Sequence, residues 1–182
     1  MPKILKRLVF IDIEGTIVDD WFSFNALPDN IEAILDYFEP LDTVCLFTYA
    51  VFDKDKELKG THRLGVIARD LLHKPYLMEN MQYVFTKKDA MDTIYNSKDV
   101  VYDVYAEINF NEKFSKQRAF LEMIRKDERF HDCECVLIDD MNKDVCIVEF
   151  PKTNLRITYE TLEHIKELQN ARKDIPELVR QV

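Results

Sequence analysis

Several stretches of the chain are apolar without alternation and end abruptly in polar residues. Residues 8–13 read Leu-Val-Phe-Ile-Asp-Ile and run into Glu14, Gly15 and Thr16. Thr43–Thr48 reads Thr-Val-Cys-Leu-Phe-Thr, and Cys133–Ile138 runs into Asp139 and Asp140. Short apolar runs with no polar face are the pattern of strands buried on both sides. Residues 81–86 read as a third strand in chain order, and residues 145–150 and 155–158 as further short strands.

Between these runs the period changes to that of helices. A helix is predicted from a cap at Asp29 or Asn30 to about Phe38, with Ile31, Ile34, Leu35 and Phe38 on one face and Pro40 ending it. Residues 61–72 form a second helix, stopped before Pro75. Residues 115–125 form another, with Phe120, Leu121 and Ile124 inward. Residues 161–171 form the last, with Leu162, Ile165 and Leu168 on one face. Residues 17–28 read as an irregular loop with aromatic anchors. Residues 87–112 stay ambiguous, because 100–110 mixes aromatic positions at both periods. No repeat, low-complexity segment or linker interrupts the chain. Alternating strands and helices predict a Rossmann-like three-layer α/β/α fold with a mostly parallel central sheet. The whole of 1–182 reads as one domain, with a small insertion around 87–112.

Composition narrows the partners. The 182 residues carry a formal net charge of -9, which argues against broad binding to nucleic acid or anionic membranes. No apolar run approaches the ~18 residues of a membrane-spanning helix. The amino-terminal residues lead straight into a strand, unlike a signal peptide, so a cytoplasmic location is expected. The four cysteines, Cys45, Cys133, Cys135 and Cys146, lack the spacing of a zinc site and are expected as buried or half-buried free thiols. His62, His73, His131 and His164 form no ligand spacing either. Asp53 to Glu57 is partly like a calcium loop, but Leu58 and Leu64 stand where an EF-hand needs Gly and Glu. Only three glycines occur in the chain. One of them, Gly15, directly follows the acidic pair, which implies a backbone need at that point.

The strand ends carry the candidate chemistry. In an open α/β sheet, ligands bind beyond the carboxyl ends of the strands. Asp12, Thr48, Asp139 and Asp140 would all meet at that rim. Unpaired carboxylates gathered there call for a cation, and hard oxygen donors suit Mg²⁺. A carboxylate beside Mg²⁺ can attack a phosphoryl group, and a second carboxylate two residues on can move protons. Thr48 supplies a hydroxyl and Lys116 an ammonium for the phosphoryl oxygens; Lys113 competes with Lys116. Trp21, Phe22 and Phe24 read first as packing for the loop, with stacking on a base as the alternative. Lys87 and Lys88 read first as a solvated pair, with attraction of phosphate as the alternative.

These motifs together resemble the haloacid dehalogenase superfamily of phosphohydrolases. Asp12-Ile-Glu-Gly-Thr16 is similar to its first motif, Phe47-Thr48 to its second, Lys116 to its third, and Leu137-Ile-Asp-Asp-Met-Asn-Lys-Asp144 to its fourth. The resemblance covers residues 5 to 150. It implies Asp12 as nucleophile and Mg²⁺ ligand, and Glu14 as acid and base with its carbonyl on the metal. It implies Asp140 or Asp139 as a further ligand, and Asp144 as an orienting residue. Glu14 departs from the usual second Asp, although enolase-phosphatases of the superfamily also carry Asp-Ile-Glu-Gly-Thr. About 27 residues separate Gly15 from Thr43, too few for a large cap, and 87–115 has room for a hairpin at most. A capless phosphatase is therefore expected, its open site accepting a small phosphorylated molecule or a nucleotide or nucleic-acid phosphate end. A homo-oligomer could supply a lid. The alternatives are a phosphotransferase, or a catalytically weak binding protein on the same fold.

Overall fold

The computed structural model describes residues 5–54, 62–79, 81–98 and 100–174. Strands β1 (Lys6–Ile11), β2 (Thr43–Thr48), β3 (Val84–Thr86), β4 (Cys133–Ile138), β5 (Cys146–Phe150) and β6 (Leu155–Glu160) form one sheet in the order β3-β2-β1-β4-β6-β5. All neighbours pair in parallel except β5, which runs antiparallel to β6 at the edge. The fold is α/β and Rossmann-like. Chain order moves outward from β1 through β2 to β3, then returns to β4 on the other side of β1. The crevice between the ends of β1 and β4 is thus the topological switch point of the sheet.

Side chains of a strand alternate between faces, and β1 divides the core accordingly. Val9 and Ile11 face a cluster with Ile34, Leu46, Ile67, Val136 and Ile165. Leu8 and Phe10 face a second cluster with Phe47, Phe120, Met123, Leu137 and Ile157. The first cluster is covered by α1 (Pro28–Tyr37), α2 (His62–Gly65, continuing as a π-helical turn over Val66–Leu71) and α6 (Leu162–Lys173). The second is covered by α3 (Lys87–Tyr95), α4 (Val104–Lys113) and α5 (Lys116–Lys126). Its rings interlock: the Phe10 centroid lies 5.0 Å from that of Phe120 and 5.4 Å from that of Phe85. Tilted and edge-to-face pairs of this kind add stability beyond the area they bury.

Several expectations need correction. β1 ends at Ile11, so Asp12 and Ile13 lie beyond the strand rather than in it. Neither Asp29 nor Asn30 caps α1. Pro28 sits in its first turn, and Asn30 Nδ2 donates to the Thr16 carbonyl at 3.1 Å. The third strand is only Val84–Thr86, because Met81 takes a left-handed turn at φ 54°. Lys87–Tyr95 and Val104–Lys113 form two helices where room for a hairpin at most was expected. Leu168 is 43% exposed; Gln169 is buried instead and donates to Asp36 at 2.7 Å. Cys45, Cys133 and Cys135 are buried, but Cys146 on edge strand β5 is exposed. Of the pattern Asp53 to Glu57, residues 55–57 lie outside the described residues, as does Thr61. No helix among the described residues is long and apolar enough to cross a membrane.

Candidate functional site

The backbone ladder between β1 and β4 continues one step past the strands, with Asp12 N donating to the Ile138 carbonyl at 3.0 Å. This places Asp12 and Asp139 at the mouth of the switch point. Asp12 is 3% exposed and Asp139 is fully buried. A tight turn follows: Ile17 N donates to Ile13 O at 2.9 Å, and Gly15 N donates to Val18 O at 2.7 Å. Within it Thr16 links the two strand ends. Its hydroxyl donates to Asp12 Oδ2 at 3.1 Å and accepts from Asp140 N at 3.1 Å.

Gly15 has φ +78°, a left-handed conformation that glycine adopts at little cost. A Cβ there would collide with the Asp140 carboxyl, its Cγ lying only 2.7 Å away. The glycine therefore serves two needs, the turn itself and the passage of the Asp140 side chain over it.

Lys116 enters from α5. Ser115 caps that helix, its hydroxyl accepting from Arg118 N at 3.2 Å. The cap fixes Lys116 as the first helical residue. Helical side chains lean toward the amino terminus, which here is the end nearest the rim. The Lys116 ammonium bonds Asp12 Oδ1 and lies 3.1 Å from Asp139 Oδ2. Phe47 of β2 and Tyr49 just beyond that strand wall it, with ring centroids 5.7 and 5.4 Å from Nζ. Lys113, the competing lysine, lies instead over the Phe114 ring.

Charge at the mouth is out of balance. Asp12, Asp139 and Asp140 each bring an oxygen within 4.8 Å of the others, against the single ammonium of Lys116. Burial pushes Asp12 up to about 7; Lys116 opposes the shift and Asp139 adds to it. Burial and a hydrogen bond with Asp139 also raise Asp140. Burial pulls Lys116 down, but Asp12 and Asp139 overcome it and hold its pKa above the ordinary value. Asp139 Oδ2 is buried and has no well-aligned hydrogen bond; Lys116 is its charge partner. Three carboxylates with all-oxygen donors and surplus negative charge could hold a divalent cation.

The other residues singled out in the sequence divide. Thr48 is buried at the end of β2, where its hydroxyl accepts from Ala50 N at 3.0 Å. The half-buried Glu14 accepts from Trp21 N at 3.0 Å through Oε2, which ties it to the following loop. In that loop Trp21 and Phe24 meet edge-on at 5.8 Å, with the Arg63 guanidinium near both rings, while Phe22 is 85% exposed. Asp144 is exposed and makes no hydrogen bond or ion pair among the described residues. Asn142 does the tying in that loop. Its Nδ2 donates to the Leu137 and Glu160 carbonyls at 3.0 and 2.9 Å, bridging β4 and β6, and its Oδ1 accepts from Gln117 at 3.2 Å.

Two residues at the rim were not expected there in this form. Tyr49 follows Thr48 directly, and two lysines, Lys87 and Lys116, lie within 6 Å of its ring centroid. Lys87 is not solvated; only 8% of it is exposed. The adjacency of Tyr49 to Thr48 was the available sequence signal; the burial of Lys87 had none. Of the histidines, His164 bonds Glu160 through Nδ1 at 2.7 Å, His73 Nδ1 lies 3.3 Å from Arg69 O, and His131 is exposed. No family model, curated protein or solved structure matches this chain.

Proposed function

We propose that this chain is a Mg²⁺-dependent phosphatase that hydrolyses a phosphate monoester through an aspartyl-phosphate on Asp12. One observation carries the reading. Asp12 is buried at the switch point of the sheet, bonded to Lys116, within an all-oxygen cluster that has one cation for three carboxylates. The resemblance of the four motifs to the haloacid dehalogenase superfamily supports it.

Asp12, Asp139 and Asp140 would hold the metal. When bound, Mg²⁺ supplies charge neutralisation and orients a phosphoryl oxygen. An Asp12 oxygen attacks phosphorus while the ester P–O bond breaks, and Glu14 protonates the departing oxygen through the carboxylate oxygen not taken by Trp21 N. Glu14 then removes a proton from water, which attacks the phosphoryl group, releases phosphate and restores the Asp12 carboxylate. Lys116 and the Thr48 hydroxyl balance charge on the phosphoryl oxygens. Asp144 has no part in this scheme.

A second reading, a phosphate-binding protein without turnover, is favoured by the bond between Trp21 N and Glu14, which turns one oxygen of the acid toward the loop. Hydrolysis of a phosphate-ester panel, including 3′- and 5′-phosphorylated oligonucleotides, separates the two. Turnover with Mg²⁺ that is lost with chelator and in Asp12→Asn supports the phosphatase. Phosphate binding with no turnover in the wild type supports the second reading. Transfer of phosphate to an added alcohol in preference to water identifies a phosphotransferase.

A further inference from the structure

Lys87 is a buried lysine at the rim that the proposed reaction does not use. It follows Thr86 at the end of β3 and opens α3. Its stem is buried, and its ammonium lies 5.7 Å from the Tyr49 ring centroid. Lys116 Nζ lies 5.4 Å from that same centroid. The ammonium that bonds Asp12 and a second ammonium thus lie within 6 Å of one aromatic ring.

Burying a lysine is costly unless its charge is compensated. Compensation for Lys87 is incomplete. Its counter-charge is Glu107 of α4 at 3.6 Å, a group itself one-third exposed. Lys87 donates no hydrogen bond among the described residues. Lys88, next to it, is paired conventionally with Asp92 at 2.8 Å. The Tyr49 hydroxyl is also buried and without a hydrogen-bond partner. A cation short of acceptors and an orphaned phenol donor thus share one ring. The start of α3 is not the source of this capacity. Thr86 and Asp89 close it with a capping box, Asp89 Oδ2 accepting from Thr86 N at 2.8 Å.

We propose that Lys87 and Tyr49 form a second anion position beside the candidate site, so that the substrate is a phosphate ester carrying a second phosphate group. A lysine serves such a group as a point charge, and an anionic oxygen supplies the acceptor the Tyr49 hydroxyl lacks. Glu107 occupies the lysine until that anion displaces it. This inference rests on the phosphatase reading for the scissile phosphate, which sits at Asp12. The second phosphate can belong to a nucleoside bisphosphate or to the backbone of a phosphorylated polynucleotide end.

The test is equilibrium binding to Asp12→Asn protein with Mg²⁺ present, so that no turnover is needed. The probes are adenosine 5′-monophosphate, adenosine 3′,5′-bisphosphate and a 5′-phosphorylated thymidine oligonucleotide. Adding Lys87→Gln is expected to weaken the bisphosphate, the oligonucleotide or both at least tenfold, and the monophosphate less than threefold. Whichever of the two is affected more identifies the source. Adding Glu107→Gln instead is expected to tighten the same ligand two- to threefold, because a competing carboxylate is removed. That variant lies on a partly exposed helix face and covers the case in which Lys87→Gln does not fold. Equal weakening of all probes by Lys87→Gln, no weakening, or weaker binding in Glu107→Gln overturns the proposal. Absence of turnover in the wild type would remove the phosphatase reading while leaving this binding difference to stand or fall by itself.

Discussion

Two buried carboxylate sites stand at the ends of neighbouring strands, and they are built on opposite terms. β4 and β6 pair Ile138 with Glu160. Beyond Ile138 lies Asp139, in the cluster with Asp12 and Asp140. Glu160 itself is 3% exposed, yet both of its oxygens have hydrogen-bond donors. Oε1 accepts from Thr161 N at 3.0 Å and from His164 Nδ1 at 2.7 Å, and Oε2 accepts from Tyr37 at 3.3 Å. A buried carboxylate supplied in this way holds structure together. In the other cluster Asp12 and Asp139 are as deeply buried while Asp140 is exposed, and Lys116, the Thr16 hydroxyl and Met141 N are the donors to all three carboxylates. Depth alone does not mark a functional carboxylate; an unanswered charge at depth does.

The contrast can be broken most sharply by activity. Under the proposed mechanism, Asp12→Asn and Lys116→Met should each cut kcat by at least about 10³-fold in a phosphate-ester assay. Glu160→Gln should retain most of the activity of the folded enzyme. Comparable losses in all three would erase the distinction between the two sites.

Stability gives the next largest effect. Gly15→Ala places a side chain in a left-handed turn and against the Asp140 carboxyl, so thermal unfolding should show a loss of about 1–3 kcal/mol. The two carboxylates should then respond with opposite signs. Glu160→Gln disturbs satisfied donors and should cost about 1–2 kcal/mol. Asp12→Asn removes surplus charge and should raise the Tm of metal-free protein at pH 8.

The pH dependence follows from the same imbalance. Burial holds Asp12 at about 7 in the folded chain, well above its ordinary value of 3.8. Between those values the folded state keeps a proton that the unfolded state releases, so stability falls as pH rises through the window. Metal-free protein should lose several degrees of Tm from pH 4 to pH 7 relative to Asp12→Asn. Mg²⁺ should restore them by binding the folded state. The smallest effect is expected at Tyr37→Phe, which removes one long hydrogen bond to Glu160 and should cost about 0.5–1 kcal/mol.

The sequence exposes the first site better than the second, and for physical reasons. β1, β2 and β4 are buried on both faces, so they read as unbroken apolar runs, and the residues after them stand out. Lys116 was legible because Ser115 announces a helix start. Glu160 was not, since its donors come from α1, α6 and the residue after it. The stretch 100–110 defeated pattern reading because α4 buries only Phe110 and leaves Val104, Tyr105 and Ile108 outward. Its apolar residues do not report a core face. Lys87 was hidden for a related reason. Its burial depends on Tyr49 and on the arrival of α4, both remote from it in sequence.

The distribution of sulfur has a practical consequence. Burial raises the thiols of Cys45, Cys133 and Cys135, which keeps them protonated and slow to react. Cys146 alone is exposed, on the antiparallel strand at the edge of the sheet. A maleimide dye should therefore attach to the native chain at one place without any engineered mutation. The loop between β4 and β5 leads from the acidic cluster to that residue, so one label would report both on metal uptake at the mouth and on fraying of the sheet's outer strand.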